Sequence, residues 1–347
     1  MSTLVVDICT IDAIAPHPDA DLLELATVKG WQLVVPKDRY AMGDRIVFIP
    51  PDSLVPLEVS DALGVTNYLS NGRVRCVTLR GEPSFGVPGD MSILPPGEWK
   101  VGDDVADVLG ITKYLPPFRA TEGDADTPSA FLQTYTDIQN LRDHPDVFEP
   151  GERVVATEKI HGTNCKCALI DGEEMAGSMD VRRKRPEDDV MARHLYWMPF
   201  TIPGVPALLR ALADIYDAKQ VILYGEVFGS KVQKPLHYGC VGQLGFRAFD
   251  ILVDGMYLDY EVFVGFCDAY DVPRVPELYV GPFDIAAIKA VSDGPTTLGG
   301  DHIREGVVVK PLVERTHPKV GRLIAKYVGD AYLLKKAGGK ISDTTDQ

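Results

Sequence analysis

Apolar and polar positions along the chain fall into two regimes. Across the first third the apolar runs are short: residues 4–9, 22–28, 31–35, 45–49 and 73–79 each read as a β-strand closed off by Pro, Gly and Asp clusters. No long 3.6-residue period intervenes, and this predicts a small β-barrel over residues 1–115. From residue 131 to residue 335 the pattern changes. Strand-like runs at 153–157, 165–170, 221–224, 306–310 and 323–328 mix with helical stretches at 205–218 and 258–270. That order predicts an α+β domain rather than a doubly wound sheet. Residues 116–130 are poor in large apolar groups and rich in turn formers, and read as a linker; residues 336–347 read as a flexible tail. No internal repeat is visible.

Composition adds bounds. A chain of 347 residues with 45% hydrophobic content is too long for one ordinary core and too apolar for disorder, so two domains are expected. No apolar run approaches the ~18 residues of a membrane span, and the first residues lack a basic stretch followed by an apolar one. No membrane association is expected, and the cytoplasm is the expected location. The six cysteines lack zinc spacing, and Cys165 and Cys167 would share one face of a strand, so they read as reduced core residues.

The net charge of −15 argues against a protein that coats nucleic acid by bulk electrostatics, because phosphates need cations where the backbone lies. The local distribution differs. Arg182-Arg183-Lys184-Arg185 is a compact basic run, and residues 304–340 carry nine Lys or Arg against three acids. An acidic shell with a basic stripe suits an enzyme that holds one nucleic-acid end and releases it readily.

Between two apolar runs stands Glu158-Lys159-Ile160-His161-Gly162-Thr163-Asn164, which presents a lysine at a strand-turn-strand corner where glycine permits close approach of a ligand. A lysine placed there can act as a nucleophile. To attack phosphorus at neutral pH it must first lose its proton, which requires neighbouring cations, a metal or desolvation.

These residues carry a resemblance. Lys159-Ile160-His161-Gly162-Thr163-Asn164 is similar to motif I of the covalent nucleotidyltransferase superfamily of RNA ligases, DNA ligases and mRNA capping enzymes, and the histidine form resembles the RNA-ligase branch. Tyr224-Gly225-Glu226-Val227-Phe228-Gly229 is similar to motif III and Phe246-Arg247-Ala248-Phe249-Asp250-Ile251 to motif IIIa. Glu305-Gly306-Val307-Val308-Val309-Lys310 is similar to motif IV, and Ile324-Ala325-Lys326-Tyr327 to motif V, where Ile324 and Val328 stand at the places that could carry a second lysine. In the first third, residues 17–25, 72–81 and 84–86 resemble the oligonucleotide-binding (OB) barrels appended to tRNA-handling proteins. A barrel placed before the transferase resembles the Deinococcus-type RNA ligases.

The resemblance implies an α+β protein: an N-terminal OB-type β-barrel followed by a nucleotidyltransferase domain of ATP-grasp-like antiparallel sheets plus helices. It implies an ATP-dependent RNA ligase that seals 3′-hydroxyl/5′-phosphate breaks, in particular nicks with RNA on the 3′-hydroxyl side, through lysyl-AMP and an adenylylated 5′-phosphate. Lys159 would be the nucleophile, with Glu305 and Lys326 as catalytic partners and Glu305 binding metal. Glu158, Ile160, Gly162 and Asn164 would line the nucleotide around Lys159. Glu226 would accept from a ribose hydroxyl and Phe246 would offer a face to adenine. Lys310 and Lys326 would neutralise the α-phosphate, and Arg182 would be the motif Ia arginine, with Arg183 its rival. ATP and Mg2+ are the implied cofactors, with Mn2+ able to substitute. RNA or an RNA/DNA nicked duplex is the implied partner of a monomer. A DNA ligase or RNA guanylyltransferase using the same lysine, and a non-catalytic RNA-binding protein, are the competing readings.

Overall fold

A computed structural model describes residues 4–114 and 124–337, so residue 115 of the expected barrel, 116–123 of the expected linker and 338–347 of the expected tail lie outside the described residues. The described chain forms two compact units that are discontinuous in sequence. The first takes in residues 4–114, 139–145 and 333–337, and the second 124–138 and 146–332. No helix among the described residues is long and apolar enough to cross a membrane.

The first unit is built from short antiparallel strands: β1 (Asp7–Thr10), β2 (Ala13–Pro16), β3 (Leu23–Val28), β4 (Trp31–Pro36), β5 (Arg45–Ile49), β6 (Cys76–Leu79), β7 (Glu82–Phe85) and β8 (Val87–Asp90). They pair as β1-β5-β8, as the meander β2-β3-β4, and as the β6-β7 hairpin. Strand period 2 explains how β5 sits between two apolar clusters. Its Val47 and Ile49 enter one cluster with Ile8, Val74 and Val105, while Ile46 and Phe48 enter another with Trp31, Leu33 and Phe85. Both faces of β5 are therefore buried, which is why its sequence, Arg-Ile-Val-Phe-Ile, is a continuous apolar run rather than an alternation.

The second unit holds two larger antiparallel sheets. One contains β9 (Arg153–Lys159), with β15 (Glu277–Pro282) on one side and β16 (Gly306–Pro311) then β17 (Ala325–Val328) on the other. The other sheet runs β12 (Arg182–Arg183), β11 (Glu173–Gly177), β10 (Thr163–Ile170), β13 (Gln220–Phe228), β14 (Gly245–Val253), and ends on the two-residue strand Met256–Tyr257. Helix α1 (Gly204–Tyr216) buries Val205, Leu208, Leu209 and Leu212, an i, i+3, i+4, i+7 stripe, in one cluster with Cys165, Cys167, Val221 and Leu223. The opposite face of the same sheet sends Ala168, Ile170, Ile222 and Tyr224 into a separate cluster with Leu132 and Tyr135. All six cysteines are free thiols, and five of them are buried.

A bulge interrupts the pairing of β13 with β14. Pairing between β13 and β14 shifts between Tyr224, opposite Asp250, and Gly225, opposite Ala248. The extra residue, Phe249, turns the strand over, so Phe246, Ala248 and Ile251 all reach the cluster under α1 while Asp250 points the other way. Helices α2 (Tyr260–Ala269) and α3 (Ile285–Ser292) complete the unit.

Candidate active site

Lys159 is the last residue of β9 and lies opposite Gly306 of β16, directly after Glu305. Pairing at that register brings the two side chains together: Lys159 Nζ is 2.9 Å from Glu305 Oε2. The same oxygen is 3.3 Å from Nδ1 of His161, which is 3.2 Å from the Tyr332 hydroxyl. Burial alone would raise the Glu305 carboxyl, but the Lys159 ammonium and then the hydrogen bond and charge of His161 outweigh it, so the carboxyl sits far below its ordinary value. The Lys159 side chain keeps 20% exposure against 8% for Glu305. The amine is thus the accessible half of a pair whose acid half is buried.

The turn after the lysine is fixed from several sides. The Gly162 amide donates to Glu226 Oε1 at 2.9 Å, and the His161 amide donates to the Tyr238 hydroxyl at 2.7 Å. On the other side of Lys159, the Glu158 carboxylate is enclosed by Thr296 and Thr297. It accepts from both hydroxyls, and from the Thr297 amide at 2.9 Å. Two glycines are required by space. A Cβ on Gly162 would stand 2.2 Å from the Val227 carbonyl oxygen, and one on Gly306 would stand 2.2 Å from that of Tyr327. The close approach anticipated at Gly162 is therefore filled by strand β13 itself.

The other expected site residues divide. Lys326 lies opposite Val308, which lies opposite Thr157, so all three share a face with Lys159 one step along the sheet. Asn164 pairs in register with Glu226, and its buried Oδ1 has no hydrogen-bond partner among the described residues. Lys310 shares the face of Lys159 but sits four residues along β16 from Gly306, buried, with its ammonium on Asp250. Ile160 is 5% exposed and Phe246 2% exposed, the latter packed in the cluster beneath α1 with its ring against Gly225. Arg182 pairs with Asp126 and Glu173, and Arg183 pairs with Asp124 beneath the Tyr196 ring. Arg185 pairs with Glu174, so much of the charge in the basic run is met by acids from other segments.

Three further buried residues bear on the unit: Asp250, inside the motif IIIa stretch, and Tyr238 and Lys166, outside the motifs. Asp250 is fully buried and accepts from the Tyr135 hydroxyl, from Lys310 and, at 2.9 Å, from Arg322, which also holds Glu314 and lies 3.4 Å over the Tyr257 ring. Burial would raise this carboxyl, but Arg322 and then Lys310 lower it, so it stays ionised. Tyr238 lies in an irregular segment that carries no hydrophobic period, so nothing in the sequence marked it. Lys166 is a second buried amine, pushed down to about 8 by burial, and it donates to the carbonyls of Leu132 at 3.0 Å and Met179 at 3.1 Å. It stands on the face of β10 opposite Cys165 and Cys167, engaged in holding loops.

An accessible amine against a buried carboxylate, with a further lysine on the same sheet face, is chemically suited to attack on an anionic centre. Comparison with known proteins agrees. The family model for RNA ligase matches residues 152–328, and an OB-fold domain model matches residues 5–88. No curated protein sequence matches the chain. Among solved structures, a Naegleria gruberi RNA ligase with a lysine-to-methionine change, bound to AMP and Mn, is 25% identical with a TM-score of 0.74, covering 95% of this chain and 98% of that one. A glutamate-to-alanine variant of the same ligase with ATP and Mn is 23% identical with a TM-score of 0.72, covering 95% and 98%. The same ligase with PPi is 24% identical with a TM-score of 0.72, covering 95% and 97%. With a match over half its length, five motifs in order and an OB-fold ahead of the nucleotidyltransferase sheets, this chain belongs to the RNA ligase family.

Proposed function

We propose that the chain joins RNA 3′-hydroxyl and 5′-phosphate ends with ATP through an adenylyl group carried on Lys159, and that it acts on nicks with RNA on the 3′-hydroxyl side. The observation that carries the reading is the Lys159–Glu305 pair at the mouth of β9 and β16. The Naegleria ligase structures with ATP, AMP and PPi support the choice of nucleotide. A barrel ahead of the transferase supports a place beside the Deinococcus-type enzymes and a barrel role in holding the strand.

In the first step the Lys159 ammonium, which the Glu305 carboxylate favours, gives up its proton to solvent, and the neutral amine attacks the α-phosphorus of ATP; a P–N bond forms and the P–O bond to pyrophosphate breaks. AMP then passes to the RNA 5′-phosphate, and the 3′-hydroxyl displaces it to close the backbone. Lys326 stands where it can meet charge that builds on the phosphoryl oxygens. Glu226 braces the turn with one oxygen while facing the same corner, which fits a contact to the ribose. Glu305 is an ionised carboxylate held at the nucleophile, and a hard oxygen of that kind fits Mg2+ or Mn2+. A divalent cation bound there would compensate charge on the phosphates, and Glu305 is the residue that would hold it.

Incubating the protein with ATP labelled at the α-phosphate and magnesium tests the reading. A covalent, acid-labile label on the wild-type chain, lost in Lys159→Ala and not formed from GTP, is the expected result. Labelling of the alanine variant would remove Lys159 from its role. A panel of nicked duplexes differing only in sugar type at the break then reads the nick preference; equal sealing of all of them would remove that part.

A further inference from the structure

Tyr238 is an aromatic residue with a positive φ of 48°, a left-handed conformation that side chains larger than glycine rarely adopt and that persists only where the surroundings enforce it. Its surroundings do. The ring is 2% exposed and stands edge-on both to His302, with centroids 4.5 Å apart, and to Phe228 at 5.4 Å. The Tyr238 amide donates to His302 Nε2 at 3.2 Å, and His302 Nδ1 lies 3.0 Å from the Ile303 carbonyl. Those two contacts require the neutral ring with its proton on Nδ1. His302 is in turn fixed by its own carbonyl, which accepts from the Thr296 amide at 3.1 Å.

This arrangement reaches the segment of the nucleophile. The Tyr238 hydroxyl accepts from the His161 amide, two residues after Lys159, while Thr296 and Thr297 of the same buttress hold the Glu158 carboxylate one residue before it. Lys159 is therefore bracketed on both sides by one structure, residues 293–304 with Tyr238 lodged against them.

We infer that Tyr238, backed by His302, is a positioning residue for the Lys159 nucleophile: its hydroxyl fixes the turn that aims the amine. The inference rests on the lysyl-AMP reading above. An attack in line at phosphorus tolerates little displacement of the amine, and loss of one anchoring bond at the following turn shows in the rate of attack rather than in nucleotide affinity.

The test is Tyr238→Phe in the full chain, which removes one oxygen and keeps the ring. Two rates are read: single-turnover labelling across ATP concentrations, and sealing of a pre-adenylylated RNA strand, which bypasses attack by Lys159. The expected result is a roughly ten- to hundredfold fall in the maximal labelling rate, with half-saturating ATP and the sealing rate each within about twofold of wild type. His302→Gln is expected to lower the same rate in the same selective way. Labelling at the wild-type rate in Tyr238→Phe overturns the inference, and so does a fall shared equally by labelling and sealing, which would make the tyrosine a general support. Wild-type protein that seals pre-adenylylated RNA yet takes no label would instead overturn the parent reading.

Discussion

Glu305 concentrates the electrostatics of the site on a single residue, and its charge state follows from its neighbours. Its carboxyl is held below the ordinary value of 4.5, so at pH below that value the unfolded chain binds a proton that the folded chain does not. The stability it contributes is therefore complete above about pH 6 and is lost as pH falls through 4.5 toward the folded value. Glu305→Gln is expected to flatten the acid limb: between pH 6 and about pH 3.5, its melting temperature should fall less than that of the wild type. Parallel curves would show that the Lys159 and His161 contacts do not govern the carboxyl. Lys159→Ala leaves the same buried carboxylate without its ammonium but still beside His161, so it should cost about 1–3 kcal/mol in addition to abolishing labelling. Melting curves of that variant check the cost, and a wild-type melting temperature would argue against the ion pair in solution.

At the scale of elements, Asp250 joins parts that the pairing of strands alone leaves separate. It sits on β14 in one sheet, Lys310 on β16 in the other, and Arg322 shortly before β17, and all three side chains are at most 8% exposed. Asp250→Ala leaves two buried cations, Lys310 and Arg322, with Glu314 as their remaining carboxylate, a change expected to cost about 3–5 kcal/mol. Urea denaturation measures this, and a loss below about 1 kcal/mol would mean that the sheets are held by their apolar contacts alone. Elements of this unit were legible in the sequence where both faces of a strand are buried, because a run such as Val-Ile-Leu-Tyr in β13 then needs no period to be recognised. Strand β15, at the edge of its sheet, has no fully buried residue and gave no such signal. The bulge at Phe249 was equally silent, since it depends on the partner strand. For the site, the motifs name Lys159, Glu305 and Glu226, and the structure brings them to one corner: Glu305 meets Lys159 across paired strands and Glu226 meets the turn that follows it. The acids that meet Arg182, Arg183 and Arg185 come from segments up to 59 residues away, and no local pattern could have announced them.

At the scale of the molecule, a charge of −15 coexists with a family that acts on RNA. Attraction of the polyanion then depends on local cations, and that attraction weakens with counterion concentration. Sealing at subsaturating RNA is expected to fall at least about tenfold between 50 and 200 mM salt, whereas self-labelling with saturating ATP should change less than about twofold. Equal sensitivity of the two rates would mean that RNA is not held chiefly through its phosphates. Division of the chain also bears on how the barrel is tested. The first unit includes residues 139–145 and 333–337, so deleting residues 1–115 would leave those segments without their unit. Substitutions on the barrel surface are the cleaner probe, and they are expected to lower sealing while sparing the label.

The proposed chemistry turns on one nitrogen atom, Lys159 Nζ. Intact-mass measurement of the purified chain after ATP and magnesium, followed by peptide mapping, tests it most directly. A single adenylyl group on Lys159, absent from Lys159→Ala, is the predicted result; an unmodified chain, or the group on Lys166, Lys310 or Lys326 instead, would contradict it.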